Sequence, residues 1–305
     1  MPLKQFRCAE RLSSGARVAL IAPAGPLQKP EELPRAQENA RTLGWEPMVG
    51  AHATEKLGYL AGHDRDRLND LNRALRDPKI DGIWCLRGGY GLMRILESVD
   101  YEALSRMPKV IMGYSDVTAL HAAVQRKCRL ITFHGPTARE ELTDFSRRSF
   151  QRAVNERADS CGIATLAREI NTGTAEGRLV GGNLSVLSSL AGTPFAPDLT
   201  DSILILEDVN EPVYRIDRML TQLRLTGTLS GCRAIAFGDC TRCPEDAGGG
   251  RSLDEVLGEL AHSLGIPCLA GIPVGHIPDQ WTIPLGAMAK VDTKARSLTV
   301  TGYPA

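Results

Sequence analysis

No stretch of this 305-residue sequence stays apolar for the about 20 residues a helix needs to cross a bilayer, so no spanning helix is expected. An excess of charge of either sign is missing too. The 36 basic and 36 acidic side chains cancel, leaving no field that would draw the chain to nucleic acid or to an anionic membrane. Met1 to Glu10 lacks the apolar core of a secretion signal. Eight cysteines are scattered without a repeating framework, which excludes a disulfide-built scaffold and fits the reduced thiols of a cytoplasm. Cytoplasmic localisation is therefore expected. Cys240-Thr241-Arg242-Cys243 is a lone C-x-x-C, with Cys232, Cys268 and His262 supplying no matching second pair, so no metal is expected. The sequence also has no internal repeat, no G-x-G-x-x-G dinucleotide fingerprint and no Gly-Lys-Ser/Thr P-loop.

What is present is ordinary globular composition, 43% hydrophobic and 24% charged, with length enough for two domains. The first half alternates short apolar runs with amphipathic ones. Strands are predicted at Arg17 to Ala24, Glu46 to Val49, Ile80 to Leu86, Lys109 to Met112 and Leu130 to Phe133. Helices fall between them at Pro30 to Leu43, from Asp64 to Pro78, at Leu92 to Val99 and at Asp116 to Lys127. Repeated β–α units imply a parallel, flavodoxin-like sheet over residues 1–150, with ligands bound beyond the carboxyl ends of its strands. The polar stretch from Thr143 to Ile170 shows helical character and then loses clear periodicity, and 151–172 reads as a linker. Residues 173–305 then form a mixed α/β, strand-rich domain. Its expected strands are Glu176 to Val180, Ser202 to Leu206, Ala234 to Phe237 and Leu269 to Val274, with a hairpin from Ala287 to Thr301. Its helices are Pro212 to Leu225 and Leu253 to Leu264.

Two segments lie at the ligand-binding edge of the first sheet. In Val110-Ile111-Met112-Gly113-Tyr114-Ser115-Asp116-Val117-Thr118 an apolar strand turns at once into helix-forming sequence, the pattern of an elbow that exposes a nucleophilic serine. The usual second glycine is replaced by Val117, and the same residues also read as a helix N-cap by Ser115 or Asp116. Arg87-Gly88-Gly89-Tyr90-Gly91 supplies glycines whose N–H groups can converge on an anion. A serine needs a base. His52 and His63 sit in polar loops, His262 lies in a charged helix, and His121 lies in the helix after Ser115, from where reaching back to the turn is difficult. His134 ends a strand, and His276 follows an apolar strand in Gly275-His276-Ile277-Pro278. Glu207 ends another apolar strand, where a carboxylate is costly without a partner, although Asp208 and Glu211 compete for the role of orienting acid.

Together these segments resemble the serine LD-carboxypeptidases, a family that includes murein tetrapeptide carboxypeptidases and microcin-immunity peptidases. Arg87 to Gly91, Gly113 to Thr118, Leu206-Glu207-Asp208 and Gly275-His276 stand in the order of its four signatures, and Gly182-Asn183-Leu184-Ser185 also fits. Val117 in the elbow departs from the lipase pattern but agrees with this family. The resemblance implies Ser115 as nucleophile, His276 as general base and acid, and Glu207 as its orienting carboxylate. It further implies an oxyanion hole from the backbone N–H groups of Gly89 and Asp116, with Arg87, Gly88 and Asn183 near the substrate. A site between two domains, a homodimer, and chemistry without metal or organic cofactor also follow from it. The implied reaction is release of D-alanine from the murein tetrapeptide L-Ala-D-Glu-diaminoacyl-D-Ala in peptidoglycan recycling. Two other readings stand beside it. One is a microcin-type cleavage of a peptidyl nucleotide, for which the family uses an aromatic on a second-domain loop; Thr172 to Ala196 has neither Trp nor Tyr and only Phe195. The other is a non-enzymatic protein that binds a small ligand on the same scaffold.

Overall fold

In the computed structural model, residues 6–244 and 250–304 are described. The first half follows its hydrophobic pattern: β1 (Arg17–Ile21), α1 (Glu32–Thr42), β2 (Glu46–Val49), α2 (Asp64–Arg76), β3 (Gly82–Cys85), α3 (Tyr101–Arg106), β4 (Val110–Gly113), α4 (Thr118–Cys128) and β5 (Thr132–His134). These five strands are parallel, in the order β5-β4-β3-β1-β2. β3 and β4 are buried along their whole length, as strands covered on both faces must be. α2 lays Leu71, Ala74 and Leu75 inward at helical spacing.

The second half comprises α5 (Asp144–Gln151), β6 (Gly162–Ile163), β7 (Arg168–Asn171), β8 (Thr174–Asn183), α6 (Leu184–Leu190), β9 (Ser202–Val209), α7 (Val213–Leu225), β10 (Cys232–Thr241), α8 (Leu253–Leu264), β11 (Cys268–Ala270), β12 (Ile283–Leu285), β13 (Met288–Asp292) and β14 (Ser297–Gly302). Its sheet has eight strands, in the order β6-β14-β13-β8-β9-β10-β11-β7. β8 to β11 run parallel, while the β13–β14 hairpin pairs antiparallel to β8.

The molecule is thus α/β, with a parallel-dominated first sheet and a strand-rich second one. Three local features differ from the sequence pattern. Leu92 to Val99 is not a helix but two 3₁₀ turns, Leu92–Arg94 and Leu96–Ser98. Gly91 at φ 135° starts the stretch out of helical geometry, Val99 is extended, and the true helix begins where the Asp100 carboxylate accepts the Ala103 N–H. The stretch expected as linker carries the edge strands β6 and β7, too short and too polar to register as strands. Finally, β12, from the second half, pairs antiparallel with β5, setting Ile283 opposite His134. The first sheet is therefore completed by a strand about 150 residues away in sequence, a long-range pairing that local periodicity does not carry.

Candidate active site

β4 ends in a strained turn. Ser115 has φ 62°, a left-handed conformation that costs an L-residue about 1–2 kcal/mol. The chain then enters a 3₁₀ turn, Ser115–Val117, that leads into α4. Neither Ser115 nor Asp116 caps a helix: the N-cap positions are Tyr114 for the 3₁₀ turn and Val117 for α4, and neither makes a side-chain cap. The strain thus presents the hydroxyl without serving helix initiation. Space for the turn comes from Gly113, where an added Cβ would lie 3.0 Å from Val117 Cγ2 and 3.1 Å from Cys85 Cβ. Val117, at the position of the second glycine in other elbows, packs its side chain against Gly113.

The glycine-rich loop presses directly on the serine. A Cβ on Gly88 would fall 2.8 Å from Ser115 Cβ and 3.0 Å from its Oγ. Gly89 has φ 101°, and the Gly25 N–H holds the Gly88 carbonyl at 2.9 Å. Asp116 braces the loop to the elbow: its buried carboxylate, 3% exposed, accepts the Leu92 N–H at 2.9 Å. Burial pushes the Asp116 carboxyl up to about 6. Arg87 points its guanidinium at the Pro26 carbonyl, 2.6 Å away.

From the second sheet, β8 and β9 bring their carboxyl ends to the same place. Asn183 is in register with Glu207, and the Asn183 N–H donates to Thr118 Oγ1 at 2.9 Å. Gly182 permits that approach, since a Cβ there would meet Thr118 Oγ1 at 2.5 Å. The Asn183 side chain accepts the Val186 N–H to cap α6 and donates to Asp208 at 3.1 Å, so its amide is already engaged. Of the competing acids, Asp208 binds Ser185 and Glu211 pairs with Arg215. Only Glu207, fully buried, reaches a histidine: its Oε2 lies 2.8 Å from His276 Nδ1. Gly275 at φ 127° makes the contact possible, because a Cβ would sit 3.1 Å from Glu207 Cβ.

The His276 ring lies 4.8 Å, centroid to centroid, from Tyr114, the residue before Ser115. Among the described residues no hydrogen bond joins Ser115 Oγ to His276; the Tyr114 ring is what links the two elements. Sequence did not single out Tyr114 for this, nor Glu140, whose charge acts on both Tyr114 and His276. His121 corrects an expectation. It does reach back toward the elbow, with Nε2 2.8 Å from the Gly113 carbonyl, because the first turn of α4 folds over the end of β4. His134, also behind the elbow, is fully buried with neither ring nitrogen paired. His52 instead binds Asp70 far from the elbow, and His262 is exposed on α8.

Electrostatics separates the three histidines near Ser115. Burial pushes His121 down to about 4 and His134 well below the ordinary value, so both stay neutral. Burial also disfavours the charged His276 ring, but the Glu207 hydrogen bond and charge outweigh it, and its pKa rises. Burial raises the Glu207 carboxyl, against the opposing pull of His276. The pair is a carboxylate–imidazole unit in which Glu207 favours the charged ring and burial opposes it, the kind of environment that tunes a general base. Among the described residues no group of three or more His, Cys, Asp or Glu side chains is placed to hold a metal, and no helix is long and apolar enough to cross a membrane.

The chain is similar to known proteins along most of its length. Residues 18–135 match the model of the LD-carboxypeptidase N-terminal domain, and 176–291 that of its C-terminal domain. A probable murein peptide carboxypeptidase of Bacillus subtilis strain 168 is 35% identical over 95% of this chain and 92% of its own length. The murein tetrapeptide carboxypeptidase of Pseudomonas aeruginosa is 34% identical over 90% of this chain and 93% of its own. The solved wild-type apo structure of the microcin C7 self-immunity protein MccF superposes with a TM-score of 0.88 at 25% identity, covering 97% of this chain and 98% of that one.

Proposed function

The chain belongs to the LD-carboxypeptidase family of serine peptidases, and from that premise we propose that Ser115, His276 and Glu207 are its catalytic triad. We propose further that it releases the terminal D-alanine of murein tetrapeptides during cytoplasmic peptidoglycan recycling. The observation that carries the triad is the Glu207–His276 bond of 2.8 Å, from a fully buried carboxylate, beside the strained Ser115 turn. Glu207 accepts the Nδ1 proton, which leaves Nε2 of His276 as the acceptor for the Ser115 hydroxyl proton. Ser115 Oγ attacks the carbonyl of the diamino acid, and the N–H groups of Gly89 and Asp116 receive the oxyanion. His276 then protonates the leaving D-alanine amine, and water resolves the acyl-enzyme by the same route in reverse. The Asp116 carboxylate, by holding the Leu92 N–H, keeps the two N–H donors on one rigid frame. Arg87 and the N–H groups around Gly88 are the proposed partners of the substrate's free carboxylate.

The nucleotide-directed reading has less support. Phe195, the sole aromatic of the 172–196 stretch, is buried against Tyr101 with ring centroids 6.3 Å apart, and is not free to stack on a base. The test is a product assay by mass spectrometry on defined tetrapeptides. Tripeptide plus D-alanine is the expected outcome; an intact tetrapeptide beside a cleaved peptidyl nucleotide would reverse the assignment.

Two further outcomes follow from the site. Activity should rise with pH along a single-proton limb whose midpoint lies above the ordinary histidine value of about 6.5, because His276 must be neutral to act and Glu207 favours its charged form. In Glu207→Gln the favourable charge is gone while burial remains, so the limb of the residual activity should move to lower pH. An unmoved limb in the pH–rate profile would show that another group is titrating. Gly88→Ala should cut kcat by about 10²-fold, since its methyl group would displace Ser115 on the scale that misalignment penalises. Steady-state kinetics on the folded variant checks this, with near-normal kcat as the contrary result.

A further inference from the structure

The C-x-x-C sequence plays no part in the proposed triad, yet it begins on β10, the strand paired with the one that carries Glu207. Cys240, the last residue but one of β10, is in register with Asp208, next to Glu207 on β9. The Cys243 N–H closes a turn onto the Cys240 carbonyl at 3.3 Å, which brings the two Cα atoms within the span a disulfide tolerates. Arg242 occupies that turn at φ 54°, a left-handed conformation costly for a non-glycine residue. It is held there by donation from Arg242 Nε to Asn210 Oδ1 at 2.9 Å and from the Asn210 N–H to the Thr241 carbonyl at 2.9 Å. Both cysteines are half-buried, so each is open to a small reagent.

Of the two residues between them, Thr241 touches the loop that carries His276. Thr241 Oγ1 hydrogen-bonds to the Asp239 carboxylate and lies 3.2 Å from the His276 carbonyl. The Asp239 N–H donates to the Val274 carbonyl at 2.8 Å, so β10 grips the His276 loop at two points. We propose that Cys240 and Cys243 form a reversible dithiol–disulfide pair, oxidised by small-molecule disulfides, whose closure shifts Thr241 and lowers turnover through the His276 loop.

The chemistry balances without other reagents. The Cys243 thiolate attacks one sulfur of the small disulfide and expels its partner as a thiolate. Cys240, losing its proton to solvent, attacks Sγ of Cys243 in the mixed disulfide and releases the second small thiolate. Two electrons pass to the reagent and two protons end on its thiols. The order fits the surroundings. The neighbouring Cys240 thiol holds Cys243 below the ordinary thiol value, whereas burial raises Cys8, Cys85, Cys128, Cys161, Cys232 and Cys268. A disulfide in a reducing compartment is expected to be transient and regulatory, not structural.

The coupling to turnover rests on the proposed function; the thiol chemistry does not. The full chain is equilibrated in mixtures of reduced and oxidised glutathione, quenched with an alkylating reagent, digested and weighed, with D-alanine release measured in parallel. Expected is a peptide containing Cys240 and Cys243 that has lost two hydrogens and escapes alkylation, reversibly with the glutathione ratio. kcat should fall several-fold in step while KM holds. Cys240→Ser and Cys243→Ser should each abolish the response, and Thr241→Val should form the disulfide while losing its effect on kcat. Both thiols alkylated at the most oxidising ratio, or a stable mixed disulfide in the wild-type chain, would overturn the pairing. Full closure with unchanged kcat would overturn the coupling. If no mixture supports D-alanine release, the carboxypeptidase reading fails, while the alkylation pattern still decides the thiol pairing.

Discussion

Replacing Ser115 with alanine should lower D-alanine release by ~10³-fold or more while leaving the fold intact, and His276→Ala and Glu207→Ala should do likewise. In the proposed triad the three residues act as one proton-transfer unit, so the double and triple variants should lose little beyond the worst single one. The fold should survive Ser115→Ala because the hydroxyl caps no helix. Glu207→Ala needs more care, since it removes a fully buried carboxylate and leaves His276 without its partner. Circular dichroism and thermal unfolding separate those effects from catalysis. Near-normal turnover in a folded Ser115→Ala variant would reject the mechanism.

The second large effect is in the substrate. A tetrapeptide should be cleaved at least about 10²-fold faster than the matching pentapeptide ending D-Ala-D-Ala, because a misplacement of about 1 Å already costs that much. In the pentapeptide the free carboxylate lies one residue beyond its binding groups when the same bond is presented. Cutting the terminal bond instead would put a D-centre at the acyl position, turning the carbonyl away from the Gly89 and Asp116 N–H groups. The crowding of Ser115 by Gly88 leaves little room to recover the angle. D-alanine release from the two peptides under identical conditions measures this, and equal rates would reject the proposed geometry.

Much of the site was legible because its residues stand where local pattern changes. Ser115 and Gly88 follow apolar strands, and Glu207 is a carboxylate inside one; each breaks a rule that its neighbours obey. Sequence leaves Glu207, Asp208 and Glu211 open, and their three-dimensional partners differ: Glu207 bonds His276, Ser185 and Asn183 take Asp208, and Arg215 takes Glu211. Other features had no local signal. Ile283-Pro284-Leu285 is three residues with a proline, and becomes a strand only because β5 offers an edge. Leu92 to Val99 has helical spacing but follows a glycine whose φ of 135° no helix shares. A histidine inside a helix gives no sign of reaching back past the helix start, yet the start of α4 packs over the end of β4 and His121 meets the Gly113 carbonyl there. The role of Tyr114 as the contact between the elbow and His276 depends on how the two halves dock, which no pattern within either half encodes.

The most direct test of the central proposal is covalent labelling of the wild-type chain with a fluorophosphonate, mapped by peptide mass spectrometry while D-alanine release is followed. The proposal predicts one phosphonyl group per chain, on Ser115, with activity lost in proportion to labelling. Full D-alanine release from completely labelled protein, or inactivation that tracks a label on another residue, would contradict it.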